Sequence, residues 1–159
     1  MTSLLIITSV ESLQKKINEI VKSFGNTIGI YVSLNKNHKS VEALLKKEKI
    51  NTRNIFFIDC ITSEKERDDV IIVQPSQLDK LAYAIKSFIN EVKGKKFLVI
   101  DALSTFLIYN DENKVAAFIK QTIEYASQNN VEVVAFSPKT KGEELLNKIF
   151  NFFDKVRKE

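Results

Sequence analysis

The chain has 159 residues, 44% of them hydrophobic and 28% charged, which suits one soluble globular domain over residues 1–159. The formal net charge of +4 arises from lysines scattered among acidic residues, as on an ordinary solvated surface, so nucleic acid is not an expected partner. The lone Cys60 excludes an internal disulfide, and the first apolar run is too short for a signal peptide or a membrane span, so we expect a cytoplasmic protein without membrane contact.

The first half of the chain predicts alternating strands and helices. Leu4–Ile7 has the composition of a short strand, and the apolar residues between Val10 and Phe24 follow the three-and-four spacing of a helix. Gly25 and Asn26 supply a stop signal for that helix. The elements predicted next are a strand over Ile28–Leu34, a helix over Ser40–Lys49, a strand over Ile55–Asp59, an exposed loop over Ser63–Asp69 and a strand over Val70–Val73.

The second half continues the alternation. Ser76 and Asp79 are placed to cap a helix that extends to Val92. The remaining predictions are a strand over Phe97–Ile100, a helix over Val115–Ala126, a strand over Val131–Phe136 and a final helix over Glu143–Lys158, with Phe152 off its apolar stripe. Short strands that are apolar throughout and separated by helices predict a mostly parallel sheet covered on both faces. The expected fold is a three-layer α/β/α sandwich.

Polar residues that could carry chemistry follow the predicted strands. In an open α/β sheet the carboxyl ends of the strands meet at one edge, where ligands bind. Polar side chains are also needed wherever a strand stops, so each of these residues has a purely structural explanation as well. The candidates are Thr8 and Ser9, Asn35 and Lys36, Asp59 and Cys60, Asp101 with Ser104 and Thr105, and Ser137.

Three of these candidates, and the lone histidine, have competing interpretations. Asp59 and Asp101 end strands that look adjacent, so they form either a carboxylate pair for a divalent cation or a pair of strand-end caps, and we favour the caps. Cys60 is expected to be a small buried hydrophobe rather than a redox sensor. His38 has no second histidine or paired cysteine nearby, so we expect an exposed loop residue and no metal site.

Four segments carry a resemblance to a known family. Together they resemble the core of archaeal KaiC-like proteins of the RecA superfamily, over roughly residues 29 to 137. This resemblance implies a P-loop-NTPase-like sheet, with Asp101 at the position of the Walker B aspartate that orients Mg²⁺ through water. The segments are GIYVSLN at Gly29–Asn35, NIFFIDCIT at Asn54–Thr62, VQPSQLDKLAYAI at Val73–Ile85 and KFLVIDALSTFLIYN at Lys96–Asn110.

The chain departs from that family where the triphosphate would bind. Active members carry G-x-x-x-x-G-K-[ST] after the first strand, because backbone N–H groups, a lysine and a hydroxyl together hold the phosphates and their metal. This chain passes from Ile7 through Thr8 and Ser9 directly into a helix, so its P-loop is degenerate. Thr8 and Glu11 have capping-box spacing, which predicts a self-capped, acidic helix start that would repel phosphate.

A second departure lies after the strand over Ile28–Leu34. The resemblance places a catalytic glutamate there, but the chain has Asn35, whose amide cannot accept a proton from water. We therefore expect a non-catalytic pseudo-ATPase, without catalytic residues or cofactor, that regulates or scaffolds through contacts with a protein partner or with itself. Asp101, Ser104, Asp59, Asn35 and Thr8 would form a vestigial rim.

Three other hypotheses remain open. The first is a sensor that binds a small ligand or nucleotide near Asp101 without hydrolysis. The second is a divergent ATPase, which the missing cradle, lysine and base argue against. The third is nucleic-acid binding through the lysine-rich runs Lys46–Lys49 and Lys93–Lys96, which lack interleaved aromatic residues.

Overall fold

A seven-stranded sheet forms the middle layer of the computed structural model, which describes residues 2–65, 67–139 and 141–159. The strand order is β4-β3-β2-β5-β6-β1-β7, and all the described pairings are parallel. The central strands are apolar on both faces because helices cover both. The strands are β1 (Ser3–Thr8), β2 (Ile28–Ser33), β3 (Ile55–Asp59), β4 (Val70–Ile72), β5 (Lys96–Asp101), β6 (Val131–Pro138) and β7 (Lys155–Lys158).

The helices form the two outer layers. They are α1 (Val10–Ser23), α2 (His38–Lys47), α3 (Leu78–Glu91), the short α4 (Phe106–Tyr109), α5 (Glu112–Gln128) and α6 (Glu143–Ile149). Helices α1 and α2 pack on one face of the sheet, and α3, α5 and α6 pack on the other. The predicted three-layer α/β/α sandwich with a parallel sheet is therefore confirmed. Among the described residues, no helix combines the length and apolarity needed to cross a membrane.

The core under α1 contains a close approach between two neighbouring strands. Gly29 of β2 is the register partner of Phe97 of β5. A Cβ atom on Gly29 would lie 2.2 Å from the Phe97 ring, so the ring occupies the space that any other residue would fill. Phe24, just after α1, stacks on the same ring with centroids 4.3 Å apart. Glycine is thus required here for packing, whatever its backbone conformation.

The predicted final helix is wrong in its second half. Helix α6 ends at Ile149, a 3-10 turn covers Phe150–Phe152, and the chain then forms β7 beside β1. Asp154 positions this return, since its main-chain N donates to Ser3 Oγ at 2.9 Å and its Oδ2 accepts from Ser3 N at 2.9 Å. Strand β1 would otherwise present unpaired backbone groups at the sheet edge, and pairing them outweighs the local helical pattern.

Two predicted helix caps are also wrong, although α1 starts at Val10 as expected. Thr8 is the last residue of β1, paired with Pro138, and Ser9 caps α1 by accepting a 3.3 Å hydrogen bond from Ser12 N. Helix α3 starts after Gln77 and has no side-chain cap. The described part of the predicted loop Ser63–Asp69 is largely exposed, and Glu66 lies outside the described residues.

Candidate functional site

The carboxyl edge of the sheet brings three of the polar strand ends into one row. Ser33, the last residue of β2, is the register partner of both Asp59 of β3 and Asp101 of β5. The strands that end in the two aspartates are therefore not adjacent, because β2 lies between them. Register partners in a parallel sheet point to the same face, so all three side chains lie on the α1/α2 side.

Asp101 is fully buried and is bound by a phenol from the neighbouring strand. Its Oδ2 accepts a 2.6 Å hydrogen bond from Tyr31 OH, and its Oδ1 has no hydrogen-bond partner within the described part of the chain. Burial raises the pKa of Asp101, although the Tyr31 hydrogen bond and the charge of Lys36 oppose the shift. Burial, together with the Asp101 charge and hydrogen bond, also raises the pKa of Tyr31 well above its usual value. The carboxylate thus faces a protein donor and not solvent.

Asp59 has the opposite electrostatic balance. Its Oδ1 accepts from the backbone N of Ile61 and Thr62 at 2.8 and 2.9 Å, and its Oδ2 accepts from Thr62 Oγ1 at 2.6 Å. Oδ2 also accepts from His38 N at 2.8 Å and lies 2.7 Å from His38 Nδ1. Burial alone would raise the pKa of Asp59, but the hydrogen bonds from Thr62 and His38 outweigh it and lower the pKa to about 2. The carboxylate ties the loop after β3 to the start of α2.

His38 is buried, so the prediction of an exposed loop residue was wrong. It is the first residue of α2 and only 1% exposed. Asn37 caps the helix by accepting a 2.8 Å hydrogen bond from Ser40 N, and this turn directs the imidazole towards Asp59. The Nε2 atom has no hydrogen-bond partner among the residues described. The polar segment around His38 is therefore partly buried, although its sequence is typical of an exposed loop. It is buried because the buried Asp59 carboxylate needs hydrogen-bond donors.

The other candidate residues do not converge on this row. Thr8 is buried on β1, two strands away from Asp101, and its carbonyl oxygen accepts from Lys139 N at 2.9 Å. Asn35 is exposed and its Oδ1 accepts a hydrogen bond from Thr105 Oγ1. Ser104 is half-buried in the 3-10 turn after β5. These three side chains are dispersed along the edge.

The buried candidates Ser137 and Cys60 have structural surroundings. Ser137 Oγ contacts only its neighbour's carbonyl, Pro138 O, at 3.3 Å among the hydrogen bonds described. Cys60 is 3% exposed and belongs to the apolar core, which agrees with its expected packing role. Burial, with the nearby Asp59 charge, raises the pKa of the Cys60 thiol to about 12, which suppresses its reactivity.

The connection between β1 and α1 is a single residue. Ser9 lies between Thr8, which ends the strand, and Val10, which begins the helix. Both Ser9 O and Ser9 Oγ accept from Ser12 N, at 3.1 and 3.3 Å, and Glu11 lies in the first turn. A phosphate cradle needs several successive free N–H groups in a longer loop. The connection here is too short to provide one, and Glu11 adds negative charge.

No concentrated set of metal ligands accompanies these aspartates in the described structure. Over residues 2–65, 67–139 and 141–159, no group of three or more histidine, cysteine, aspartate or glutamate side chains could hold a metal ion. An open groove of about 570 Å³ lies instead between α3 and α5, with Asp79, Lys80 and Lys114 in its lining. This groove shares no lining residue with the Asp59–Ser33–Asp101 row.

Sequence reasoning missed the two residues, Tyr31 and His38, that contact the aspartates of the row, and it did not single out Ser33. Tyr31 was assigned only to an apolar strand, yet a phenol in a buried strand needs a hydrogen-bond partner, and that need was an available signal. His38 offered a weaker signal, because only the register and the turn at Asn37 reveal its partner. Both partners lie far along the chain, with Tyr31 and Asp101 separated by 70 positions.

Comparisons with known proteins agree with the fold. A model described as a family of unknown function (DUF7090) matches residues 15–158. No curated protein matches the sequence. A KaiC-like protein from the hyperthermophilic archaeon Pyrococcus horikoshii is similar in structure, with a TM-score of 0.71 and 11% identity, over 98% of this chain and 69% of that one.

A second solved structure is similar to the same extent. It is an uncharacterized protein from Pyrococcus horikoshii in complex with an unknown peptide, with a TM-score of 0.74 and 13% identity, over 99% of this chain and 76% of that one. Identities this low establish the common KaiC-like, RecA-type fold and nothing about activity.

Proposed function

The chain belongs to a family of unknown function (DUF7090), and on the geometry of its site we propose that it is a non-catalytic KaiC-like domain that regulates or scaffolds other proteins. It retains the RecA-type sheet, and its strand-end aspartates form hydrogen bonds within the domain. Its P-loop is degenerate, and its place of action is the cytoplasm of an archaeal cell.

The observation that carries this proposal is the burial of Asp101. A Walker B aspartate acts on a metal-bound water, so it must reach the nucleotide site. Here the carboxylate has no exposed surface and accepts a hydrogen bond from Tyr31 instead. Freeing it would require opening the core beneath α1 and breaking that bond, and leaving a buried polar group unpaired costs about 1–3 kcal/mol.

Two further observations support the loss of chemistry. The one-residue connection at Ser9 offers no cradle for phosphates, and Glu11 opposes them electrostatically. Asn35, exposed beside Thr105, supplies an amide where hydrolysis would need a base.

A role in protein contacts rests on a different argument. One solved structure of similar fold is a complex with an unknown peptide, and this supports a role in protein contacts. Exposed apolar side chains near the carboxyl edge, Ile61, Ile108 and Tyr109, offer surface to a protein partner or to a second copy.

The test is a nucleotide assay on the purified chain. With Mg²⁺ and ATP we expect no release of phosphate above the rate without protein, and no saturable binding by calorimetry. Tight ATP binding with Mg²⁺-dependent release of phosphate would overturn the proposal. If neither ATP binding nor hydrolysis is found, covalent cross-linking in cells would identify the protein partner.

A second function, a nucleotide or small-ligand sensor, has one observation in its favour. Asp101 Oδ1 and His38 Nε2 are both buried without a partner in the described structure, and such atoms are costly unless water or a ligand satisfies them. This hypothesis predicts that one compound of a nucleotide panel raises the melting temperature and that Asp101→Ala abolishes the rise. The absence of any shift would reject it.

A further inference from the structure

Strand β7 forms an open edge of the sheet. It follows β1 at the end of the strand order, and each of its four residues is exposed. No described element pairs with its outer side. The opposite edge strand, β4, has only three residues, one of them buried, so β7 is the longer and more accessible edge.

The backbone of β7 presents a regular set of free pairing groups. Glu159 N donates to Ile7 O at 2.9 Å, so Lys155, Arg157 and Glu159 turn their N–H and C=O groups towards β1. Alternate residues of a strand point their backbone groups to opposite sides. The N–H and C=O groups of Val156 and Lys158 therefore point outwards, where another strand would bind them.

The side chains on this edge are mostly cationic. Register with β1 places Lys155 and Arg157 on the α1 face, and Val156 and Lys158 on the α6 face. Of the two acids nearest to β7 in the chain, Asp154 is hydrogen-bonded to Ser3. Glu159 is engaged by Lys16, with 2.7 Å between Nζ and Oε2, and lies 3.9 Å from Arg157. An excess of positive charge thus surrounds Val156, which is 37% exposed.

The positive charge and the free backbone groups of β7 favour one class of binding partner over the others. A second copy of β7 would set lysine and arginine against lysine and arginine, and like charges directly opposite each other destabilise a strand pair. Single-stranded nucleic acid would find no aromatic side chain on β7 for base stacking. An extended segment with alternating acidic and apolar residues satisfies the backbone groups, the cations and Val156 together.

We infer that β7 binds an extended acidic segment of a partner protein, which adds to the sheet as an eighth strand. Acidic side chains of that segment lie opposite Lys155 and Arg157, and an apolar side chain lies against Val156. This inference rests on the proposed function, because it names the kind of partner that a non-catalytic interaction module would hold.

The test uses the 159-residue chain and a labelled peptide of alternating glutamate and valine (EVEVEVE). We expect saturable binding by fluorescence anisotropy, with amide chemical-shift changes concentrated at Val156 and Lys158. A peptide with a central proline (EVEPEVE) cannot pair along its whole length and should bind about tenfold more weakly. The cationic peptide KVKVKVK should not bind.

Two pairs of variants separate the backbone from the charge contribution. Lys158→Pro removes an outward N–H as well as the side chain and leaves the bond from Glu159 to Ile7 intact. Lys158→Ala removes the same side chain, including its contact with the Phe150 ring at 4.9 Å, and keeps the N–H. We expect Lys158→Pro to bind at least about tenfold more weakly than Lys158→Ala. The double variant Lys155→Glu/Arg157→Glu should no longer bind EVEVEVE and should bind KVKVKVK instead. The control Lys47→Glu/Lys93→Glu makes the same charge change at exposed sites elsewhere and should bind both peptides as the wild type does.

Each contrary outcome rejects the inference. Equal binding by Lys158→Pro and Lys158→Ala would exclude strand addition. Comparable affinity for a single-stranded oligonucleotide would identify nucleic acid as the occupant, and a dimer in sedimentation that Lys158→Pro dissolves would identify a second copy. ATP hydrolysis is measured on the same sample. If the chain neither hydrolyses ATP nor binds EVEVEVE, only this inference is rejected. If it releases phosphate from ATP, the proposed function is rejected.

Discussion

Tyr31 donates a 2.6 Å hydrogen bond to the buried carboxylate of Asp101 across the boundary between β2 and β5. Tyr31 is the register partner of Val99, so Asp101 lies two residues further along on the same face of the sheet. The bond therefore joins neighbouring strands diagonally at their carboxyl ends. It gives Asp101 an internal hydrogen-bond partner, which supports the proposal that this aspartate does not act on a metal-bound water.

Replacing Tyr31 by phenylalanine tests how much this bond stabilises the fold. Asp101 would keep its burial and lose the only hydrogen-bond donor that the described structure gives its side chain. We expect the free energy of unfolding at pH 7 to fall by about 1–3 kcal/mol, the usual cost of leaving a buried polar group unpaired. Urea unfolding measures the change in the free energy of unfolding.

The double variant Tyr31→Phe/Asp101→Asn provides the control. A neutral amide is less costly to leave without a partner than a carboxylate, so the second substitution should recover part of the loss. Simple additivity of the two single effects would contradict direct coupling between the side chains.

The pH dependence of stability should reveal the hydrogen bonds to Asp59. Its pKa is about 2 in the folded chain, against 3.8 for an aspartate in water, so the unfolded state binds more protons between these values. Stability from this group is complete above about pH 4 and is lost as the pH falls through about 2. Asp59→Asn should flatten this acid limb and lower stability at pH 7 by about 1–3 kcal/mol.

Asp101 contributes to the same pH profile with the opposite sign. Its pKa is raised in the folded chain, so its stabilising contribution is present at low pH and is lost as the pH rises through the folded value. The Asp59 comparison is therefore made in an Asp101→Asn background, by urea unfolding from pH 2 to pH 7. An acid limb that is unchanged by Asp59→Asn would assign the acid sensitivity to other groups.

The same residues explain what the sequence could and could not predict. The strand ends at Asp59 and Asp101 were recognisable because an acidic residue interrupts an apolar run, and local periodicity is enough to see it. Their partners Tyr31 and His38 depend on which strands are neighbours, and strand order is a property of the whole sheet. Strand β7 was missed for the same reason, since Val156 fits a helical stripe until the unpaired edge of β1 is considered.

A close contact between Gly29 and Phe97 leads to a prediction about packing. The Phe97 ring occupies the position of a Cβ on Gly29 and is itself held by Phe24, so it cannot move aside without disturbing α1. We expect Gly29→Ala to destabilise the chain by about 1–3 kcal/mol, as overpacked cores do. Thermal unfolding with circular dichroism measures the change.

The matched comparison uses a smaller neighbour. In a Phe97→Leu background the added methyl group has more room, so Gly29→Ala should cost less there than in the wild type. Gly25→Ala serves as a second control, because Gly25 has no atom within 4 Å of its added Cβ and only its positive φ of 56° opposes substitution. An equal cost in both backgrounds would rule out the ring contact as the cause.

Introducing a carboxylate at position 35 should not produce hydrolysis. Asn35 is exposed and its Oδ1 accepts a hydrogen bond from Thr105, so Asn35→Glu is expected to fold normally. A general base acts only on a water next to bound nucleotide. On the proposed function, the single-residue connection at Ser9 and the buried Asp101 do not form a site for the triphosphate and its metal. We expect phosphate release from ATP to stay at the no-protein rate, with Asn35→Gln as the uncharged control, whereas turnover specific to Asn35→Glu would mean that the chain binds nucleotide and had lost only its base.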